Sequence, residues 1–455
     1  MVLAEPRSSH REDLLDRGRQ RSREQRARRR DVRLLLIARG MRAFADGFVS
    51  ILLPVYLTRL GISVFEIGAI TTAMLLGPAV ITLTVGLIAH RLRIDQLLTG
   101  AAVLMVLSGI GYAYATEFWP LLVIAFVGTL NPTASEVGVF VPLEHTVLSN
   151  TVAPLHRTSM FTSYSLVGSL VGALGCLFAG APELLVRSAP VDLEQALRGM
   201  FVGYALLGVA AFMIYHRLNL PVIPVPRGLA TTPLGPSRRT VYTLATLFSL
   251  DAFGGGFFVQ SLMALWLFEH FGLSLTAAAS LFFWTGMLST FSYPIAAWIA
   301  RRIGLVNTMV FTHLPSNLCL VLVPFAPGIE IAIALLLVRS ALSQMDVPAR
   351  TSYVMAVVTP PERPAAASIT AAPRSIAGAA SPILAGYLLG LSAFGWPLVI
   401  GGVFNGLYDL LLLWMFRSVR PPEEQLSDVP GRSSREAGLP NSHSTGAERS
   451  IPASE

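Results

Sequence analysis

The sequence contains no lysine, so all 34 of its basic residues are arginine. Only 13% of its 455 residues are charged, whereas 53% are hydrophobic, and the mean hydropathy is +0.60. A chain this apolar has too little polar surface to cover a water-soluble globule of its length, which excludes that class of protein. The apolar runs are long and continuous rather than short and alternating, so they predict membrane helices and not barrel strands.

Cysteine is also scarce. Cys176 and Cys319 both lie within apolar runs, so we expect two unpaired buried thiols and no structural zinc site. A His-Glu-x-x-His motif, a nucleophile elbow and a paired aspartate motif are missing, which argues against a membrane-embedded enzyme such as a lipid transferase. We expect no cofactor, and a proton gradient as the driving force.

Twelve apolar segments are long enough to span a bilayer. They lie at about 34–58, 65–88, 97–117, 119–149, 159–181, 199–217, 241–268, 275–299, 305–327, 330–357, 366–391 and 396–416.

The two halves of the chain repeat each other. A shift of 211 positions lays Gly61 on Gly272 and places Ala300, Arg301 and Arg302 opposite 89–91. A shift of 206 lays Pro142 on Pro348, Arg157 on Arg363 and Gly180 on Gly386. Such a duplication is typical of transporters built from internal repeats. We therefore predict an all-α polytopic membrane protein with twelve transmembrane helices in two pseudo-symmetric six-helix bundles.

Composition places the boundaries of these bundles. A stretch rich in Pro, Gly, Thr and Arg lies between the sixth and seventh segments, and a Ser-, Gly- and Pro-rich tail follows the last one. We predict an Arg-rich cytoplasmic N-terminal tail (1–33), a first bundle (34–217), a cytoplasmic linker (218–240), a second bundle (241–416) and a disordered cytoplasmic C-terminal tail (417–455).

Arginine is sorted between alternate loops, and this sorting predicts the orientation of the chain. With the N-terminus inside, the outer loops hold only Arg59, Arg187 and Arg198. The inner loops hold ten: Arg91, Arg93, Arg157, Arg217, Arg227, Arg238, Arg239, Arg301, Arg302 and Arg363. By the positive-inside rule we expect a multi-pass protein of the plasma or inner membrane with both termini in the cytoplasm.

The first 33 residues carry eleven arginines and no apolar core of a signal peptide. We interpret them as an orientation signal that contacts anionic lipid rather than as a nucleic-acid-binding arm. Apart from lipid and a small-molecule substrate we expect no partner, and the protein is expected to work as a monomer.

Proline and glycine recur at equivalent places in both halves. Pro142 and Pro348 are expected to bend the fourth and tenth spans near their inner ends. Small residues on the fifth and eleventh spans are expected to form packing seams. These are Gly168, Gly172, Gly175, Gly378, Ala379, Ala380 and Gly386.

Ionisable groups at membrane depth cost roughly 2.5–3.5 kcal/mol each, so each needs a partner or a function. The predicted spans contain Arg39, Arg42, Asp46, Glu136, Glu144, His145, Asp251, Arg339, Asp346, Arg350, Arg374 and Asp409.

Helix periodicity suggests how some of these charges pair. Arg42 and Asp46 are one helical turn apart and are expected to pair, with Glu136 at a depth that lets it share the arginine. Asp346 and Arg374 lie at matched depth in the second half. Each pair is also compatible with a purely structural role in fixing helix register.

Asp251 differs from the others because the seventh span holds no basic residue. Its carboxyl group is expected to be protonated or to face water in a cavity. Either state suits a proton-coupling or substrate site. We therefore expect Asp251→Asn to abolish proton coupling while sparing counterflow.

The loop between the second and third spans reads GLIAHRLRIDQ and resembles the loop signature of the major facilitator superfamily. Gly86, Ala89 and Arg91 hold family positions, but His90 replaces the expected acid and Arg93 the expected glycine. The resemblance covers roughly residues 34–416. It implies two six-helix bundles that rock around a midplane cavity lined by the first, fourth, seventh and tenth spans.

The same resemblance implies an inner gate at this loop. In the family the loop acid faces the N-terminus of the eleventh span, so a protonated His90 would reverse the sign. We expect a gate sensitive to cytoplasmic pH, held by Arg91 or Arg93 with Glu144. The predicted gate residues are Gly86, His90, Arg91, Arg93, Glu144, Arg301 and Arg302.

These features predict a secondary active transporter of a small organic solute, by proton-antiport efflux. The fifth span lacks the Gly-Pro signature usual in drug exporters of the family, so proton-coupled uptake of an organic anion or zwitterion is an alternative. A non-transporting membrane sensor is another. The predicted substrate and proton residues are Arg42, Asp46, Glu136, Asp251, Asp346, Arg350 and Arg374.

Overall fold

The structure, a computed structural model, describes the backbone of residues 7–88, 93–133, 138–151, 157–218, 235–359 and 362–417. Side chains are described over the same ranges except 7–28, 85–88, 150, 157–158 and 364.

Every regular element among the described residues is a helix, and these elements include a short 3-10 turn at Val323–Phe325. The first half contains α1 (Arg7–Arg59), α2 (Val64–Ile88), α3 (Ile94–Tyr114), α4 (Phe118–Val127), α5 (Phe140–Thr151), α6 (Arg157–Phe178), α7 (Ala181–Ser188) and α8 (Leu193–His216). The second half contains α9 (Arg238–Gly256), α10 (Gln260–Phe271), α11 (Leu275–Ile303), α12 (Leu305–Leu322), α13 (Ile329–Ser343), α14 (Asp346–Val357), α15 (Arg363–Leu391) and α16 (Trp396–Phe416).

Within the described residues, eight helical stretches are long and apolar enough to cross a membrane by length and composition. The other four predicted spans correspond to α1, α4 with α5, α11 and α15. The all-α, polytopic fold class predicted from the sequence is confirmed.

Three predicted spans are interrupted near their middle. The fourth consists of α4 and α5, the seventh of α9 and α10, and the tenth of α13 and α14. Pro142 and Pro348 each lie in the first turn that follows a break. A proline fits there because the first turn of a helix needs no backbone N–H donor. The chain therefore breaks just before each proline.

The two halves pack in the same way. Helix α1 packs against α6 as α9 packs against α15, α3 against α8 as α12 against α16, and α2 against α4 as α11 against α13. The predicted small-residue seams are confirmed. A Cβ on Gly47 would lie 3.0 Å from Gly175 Cα, and one on Gly378 would lie 3.3 Å from the Ala252 carbonyl oxygen. These helices approach closely because glycine has no side chain.

The halves meet through α2 with α15, α6 with α11, and α1 with α10. Close approaches between the halves, such as those of Gly68 to Gly386 and of Gly180 to Thr276, lie towards the end of the molecule that carries the α1–α2 turn, here called the closed end. At that end a single apolar cluster includes residues of both halves, for example Tyr56 and Trp266. At the opposite end each half has a separate cluster, around Leu35 in the first and Leu244 in the second. The opposite end is called the open end.

The closed end depends on a backbone approach that a pair of variants can test. A Cβ on Gly386 would lie 2.8 Å from Gly68 Cα and 2.8 Å from the Val64 carbonyl oxygen, whereas a Cβ on Gly390, one turn later in α15, would meet nothing within 4 Å. We expect Gly386→Ala to lower the thermal unfolding midpoint of the purified protein, since overpacking costs about 1–3 kcal/mol. Gly390→Ala should leave it unchanged or raise it, because alanine favours helix. Equal midpoints for the two variants would contradict a tight α2–α15 seam.

Candidate functional site

The charged groups of the first half surround Glu144, which is fully buried on α5. Its carboxylate forms an ion pair with Arg42 of α1 and accepts hydrogen bonds from the Tyr164 hydroxyl at 2.5 Å and the Tyr215 hydroxyl at 2.7 Å. The Arg42 guanidinium also lies 4.1 Å from the centroid of the Phe140 ring. Three donors satisfy this carboxylate, which is what a buried charge requires. The cluster ties the short helix α5 to α1, α6 and α8.

This arrangement corrects two predictions. Arg42 pairs with Glu144 and not with Asp46, and Glu136 lies outside the described residues. The Glu144 carboxylate is already paired inside the bundle, so it does not pair with Arg93 of the predicted gate loop. Arg93 instead bonds Asp95 two residues further on, at 3.0–3.1 Å. Sequence spacing gave the wrong partners because it favoured neighbours along one helix over neighbours on another.

The remaining predicted gate residues are placed only in part. His90 and Arg91 lie outside the described residues, and Gly86 is in the last turn of α2. Arg301 and Arg302 are in the last turn of α11, where positive charge interacts favourably with the helix dipole. The Arg302 guanidinium also lies 5.0 Å from the centroid of the Trp298 ring. The gate remains a prediction.

Asp46 is one turn further along α1 and faces a cavity within the first half. Arg39, Arg42, Asn131 and Tyr204 also line this cavity, which opens beside the break between α4 and α5. Asp46 makes neither a hydrogen bond nor an ion pair with any side chain that the structure describes. It interacts with Arg42 and Arg39 only at longer range. A carboxyl group in this position is accessible to a proton or a cationic group.

The charged groups of the second half surround Arg350 on α14. Its guanidinium bonds Asp251 of α9 at 2.8 Å and lies 3.4 Å from Asp346, one turn earlier on its own helix. Arg374 of α15 lies 4.0 Å from the same oxygen of Asp251. Asp251 is therefore paired, contrary to the expectation that it lacks a basic neighbour. Arg374 is paired with Asp251 rather than with Asp346. The error arose because both arginines come from other helices.

The two clusters are related by the sequence repeat with their charges exchanged. In the first half a cation on the first span pairs with an anion on the fourth, whereas in the second half an anion on the seventh pairs with a cation on the tenth. The 206-residue shift lays Glu144 on Arg350 and Gly168 on Arg374. The Arg39 guanidinium occupies the space where Gly168 has no side chain. With Arg39 and Asp46 counted in the first cluster, each cluster thus holds two arginines and two acids.

A third buried polar cluster was missed. Asp409 of α16 is fully buried and lies 3.0 Å from Nδ1 of His313 on α12. Asn317, one turn after His313, donates a hydrogen bond of 3.0 Å to the other Asp409 oxygen. The charges counted from the sequence included Asp409 but not His313. A histidine inside a predicted span is an ionisable group at membrane depth, and this alone identifies His313 as a candidate functional residue.

Besides the hydrogen bond from the Ile383 N–H to the Thr72 hydroxyl at 2.9 Å and that from the Ser261 N–H to the Pro132 carbonyl oxygen at 3.1 Å, two polar contacts join the halves towards the closed end. Gln260 of α10 donates to the Ser50 hydroxyl at 2.8 Å and contacts Cys176 Sγ at 3.2 Å. Glu183 of α7 accepts from the backbone N–H and the hydroxyl of Thr276, both at 2.8 Å, and so caps the N-terminus of α11. Both contacts must break if the halves separate at this end.

The buried ion pair of the first half predicts a large stability effect. We expect Glu144→Gln to lower the unfolding free energy by about 3–5 kcal/mol, because it leaves the Arg42 guanidinium buried without its counter-ion. Glu194→Gln is the matched control. It breaks a half-exposed pair with Arg198 on one face of α8, and such pairs contribute about 0.2–1 kcal/mol. Denaturant unfolding in detergent measures both, and similar losses would contradict a structural role for the Arg42–Glu144 pair.

Comparisons with known proteins agree with this architecture. A curated relative, the uncharacterized membrane protein YJR124C of Saccharomyces cerevisiae, is 24% identical over 425 residues, which cover 86% of this chain and 95% of that protein.

Several solved structures share the fold. A bacterial homologue of the human lysosomal transporter Spinster, in an inward-facing and unoccupied conformation, matches with a TM-score of 0.65 and 14% identity over 86% of this chain and 97% of its own. The nucleoside transporter NupG matches with a TM-score of 0.65 and 13% identity over 85% and 99%. The human organic anion transporter MFSD10 matches with a TM-score of 0.59 and 17% identity over 85% and 99%.

The family model described as Major Facilitator Superfamily matches residues 35–345, which is more than half of the chain. The chain therefore belongs to the Major Facilitator Superfamily and is a multi-pass membrane transport protein rather than an enzyme.

Proposed function

We propose that this protein exports a small organic solute by alternating access, in exchange for protons. The observation that carries the proposal is Asp46, a cavity carboxyl without a partner among the described side chains, beside Arg39 and Arg42. A carboxyl group that can be charged or neutral lets one cavity carry a proton in one direction and a solute in the other. Asp251 is less suited to this role because two arginines hold its charge.

The arginines favour an anionic or zwitterionic solute. Arg374 lies in the middle of α15, yet 43% of its side-chain surface is exposed, and its guanidinium is 4.0 Å from Asp251. A guanidinium group can bind a carboxylate or phosphate through two hydrogen bonds. MFSD10, which shares the fold, is an organic anion transporter, and this supports the proposed class of solute.

The shape supports alternating access. The halves are joined at the closed end and have separate apolar clusters at the open end. With the termini in the cytoplasm, as the arginine distribution favours, this is an inward-open state. Export from it requires the seam between α6 and α11 to open.

The first test concerns the coupling acid. A panel of toxic organic anions, zwitterions and cations is screened in cells that express the protein, and a compound against which it protects is then used in proteoliposomes. We expect Asp46→Asn to abolish flux driven by an imposed pH gradient while solute counterflow continues, because the amide cannot exchange a proton. Glu330→Gln, at an exposed acid in the first turn of α13, is the control and should keep both activities.

Unaltered gradient-driven flux in Asp46→Asn would refute its coupling role. Uptake rather than export in oriented vesicles would favour symport instead. No protection and no flux for any class of solute would favour the sensor alternative.

The second test concerns the seam. A Cβ on Gly286 of α11 would lie 3.0 Å from Ala173 Cβ of α6, close to the separation of about 3.5–4.5 Å found in disulfides. In a background with Cys176 and Cys319 replaced by serine, we expect oxidation of the Ala173→Cys, Gly286→Cys variant to stop transport and reduction to restore it.

A matched pair within one half controls for cross-linking itself. A Cβ on Gly40 of α1 would lie 3.5 Å from Val167 Cγ1 of α6 and would meet no backbone atom within 4 Å among its nearest neighbours. The Gly40→Cys, Val167→Cys variant should also cross-link but keep its transport activity, because the halves move as rigid bodies. Transport that continues with the α6–α11 seam cross-linked would contradict opening at this seam.

A further inference from the structure

The cluster of His313, Asn317 and Asp409 has no part in the cavity described above. It lies between α12 and α16, and its three residues are 7%, 2% and 0% exposed. Asp409 accepts from both neighbours, at 3.0 Å from His313 Nδ1 and 3.0 Å from Asn317 Nδ2. Nδ1 also lies 3.1 Å from Asn317 Nδ2. In the neutral tautomer in which Nδ1 donates to Asp409, Nε2 carries a lone pair, and no described residue bonds it. The pair of His313 and Asp409 can therefore take up one more proton.

Packing of these two helices does not require such a cluster. The equivalent seam of the first half, between α3 and α8, buries apolar residues, tyrosines, one serine and glycines, with no carboxylate or imidazole. It closes by direct contact, since a Cβ on Gly109 would meet the backbone of α8. A titratable pair that its symmetry mate lacks is costly at membrane depth, which points to a function.

Other charged groups around His313 link it to the second-half cluster. From α16, Tyr408 presents its ring edge at 6.1 Å between centroids. Helix α12 packs against α14, which carries Asp346, and α16 packs against α9, which carries Asp251. Both acids interact with the imidazole at longer range.

In the neighbouring helices α13 and α11, Arg301 is exposed in the last turn of α11, and the other two basic residues contact aromatic rings elsewhere. Arg339 lies over the Phe258 ring, and Arg302 lies over the Trp298 ring. The positive charge of a protonated His313 therefore acts on Asp251 and Asp346.

We propose that His313 and Asp409 form a second proton-binding site of this transporter, which acts on the cavity through Asp251. A proton from water adds to Nε2, and the resulting imidazolium is stabilised by Asp409. Its positive charge then competes with Arg350 and Arg374 for Asp251, which loosens the bonds between α9, α14 and α15. Loss of the proton to water reverses the change. The inference rests on the proposed proton coupling and adds a site to it.

The test follows the conformation of the full-length chain in lipid nanodiscs without solute, with the proton as the only ligand. Spin labels are attached through Leu184→Cys on α7 and Leu391→Cys on α15, both exposed near the closed end of different halves, in a background without Cys176 and Cys319. Electron-spin distance measurements at about pH 6 and about pH 10 give the ratio of closed to open molecules. All variants carry Asp46→Asn, which removes the cavity acid.

In this background we expect the ratio to change about tenfold between the two pH values, the effect of one pKa unit of difference in proton affinity between the two states. Adding His313→Gln should make the ratio independent of pH, at the level of the unprotonated protein. Adding His313→Lys, which keeps a positive charge, should make it independent of pH at the opposite level. His270→Gln, at an exposed histidine of α10, should leave the tenfold change intact.

A ratio that does not depend on pH in the Asp46→Asn background, or one that still varies after His313→Gln, overturns the inference. The two substitutions of His313 guard against misfolding, because a misfolded protein would not give two different fixed ratios. Failure of the proposed function has a separate signature, since it is absence of gradient-driven flux in the unmodified protein, and the distance measurement uses no solute.

Discussion

The pairing of opposite charges across helices is the constraint on which the middle of this protein depends. The breaks before α5 and α14 leave two short helices of 12 residues each. The Arg42–Glu144 pair ties the first to α1, and the Asp251–Arg350 pair ties the second to α9. In a low-dielectric interior such pairs are costly to form but far more costly to break on one side. The breaks are tolerated because each short helix is held by one of these ion pairs, and the lipid offers no partner to a charge that leaves its pair.

The exchange of charge between the halves has a consequence for binding. Both clusters use two arginines and two acids, yet the anion of the main pair comes from α5 in one half and from α9 in the other. A symmetric scaffold thus presents an asymmetric electrostatic environment to whatever lies between the halves. Rocking motion requires the scaffold to be symmetric, whereas selection of a solute and a proton requires the cavity not to be.

Closure at one end follows from glycine and from apolar burial. Helices α2 and α15 approach closely because Gly386 has no Cβ, and α1 and α6 do so because Gly47 has none. A Cβ at either position would meet the backbone of the facing helix. The halves share an apolar cluster at the closed end, whereas each has its own cluster at the open end. Each half can therefore move as a unit at the open end. The polar contacts between the described parts of the two halves, at Gln260, Glu183, Thr72 and Ser261, are few enough to break and reform.

The sequence by itself determined the helical membrane fold, the positions of its spans, the small-residue seams and the depth of each buried charge, because these depend on hydropathy and local periodicity. Only the tertiary structure decided which charges meet. Depth along a helix does not give its rotation or its neighbours. From the sequence alone, Asp251 was therefore expected to be unpaired and Glu144 was expected to take part in a gate, whereas His313 was not identified. Contacts between helices depend on packing that no single segment encodes, and in this protein those contacts define the candidate site.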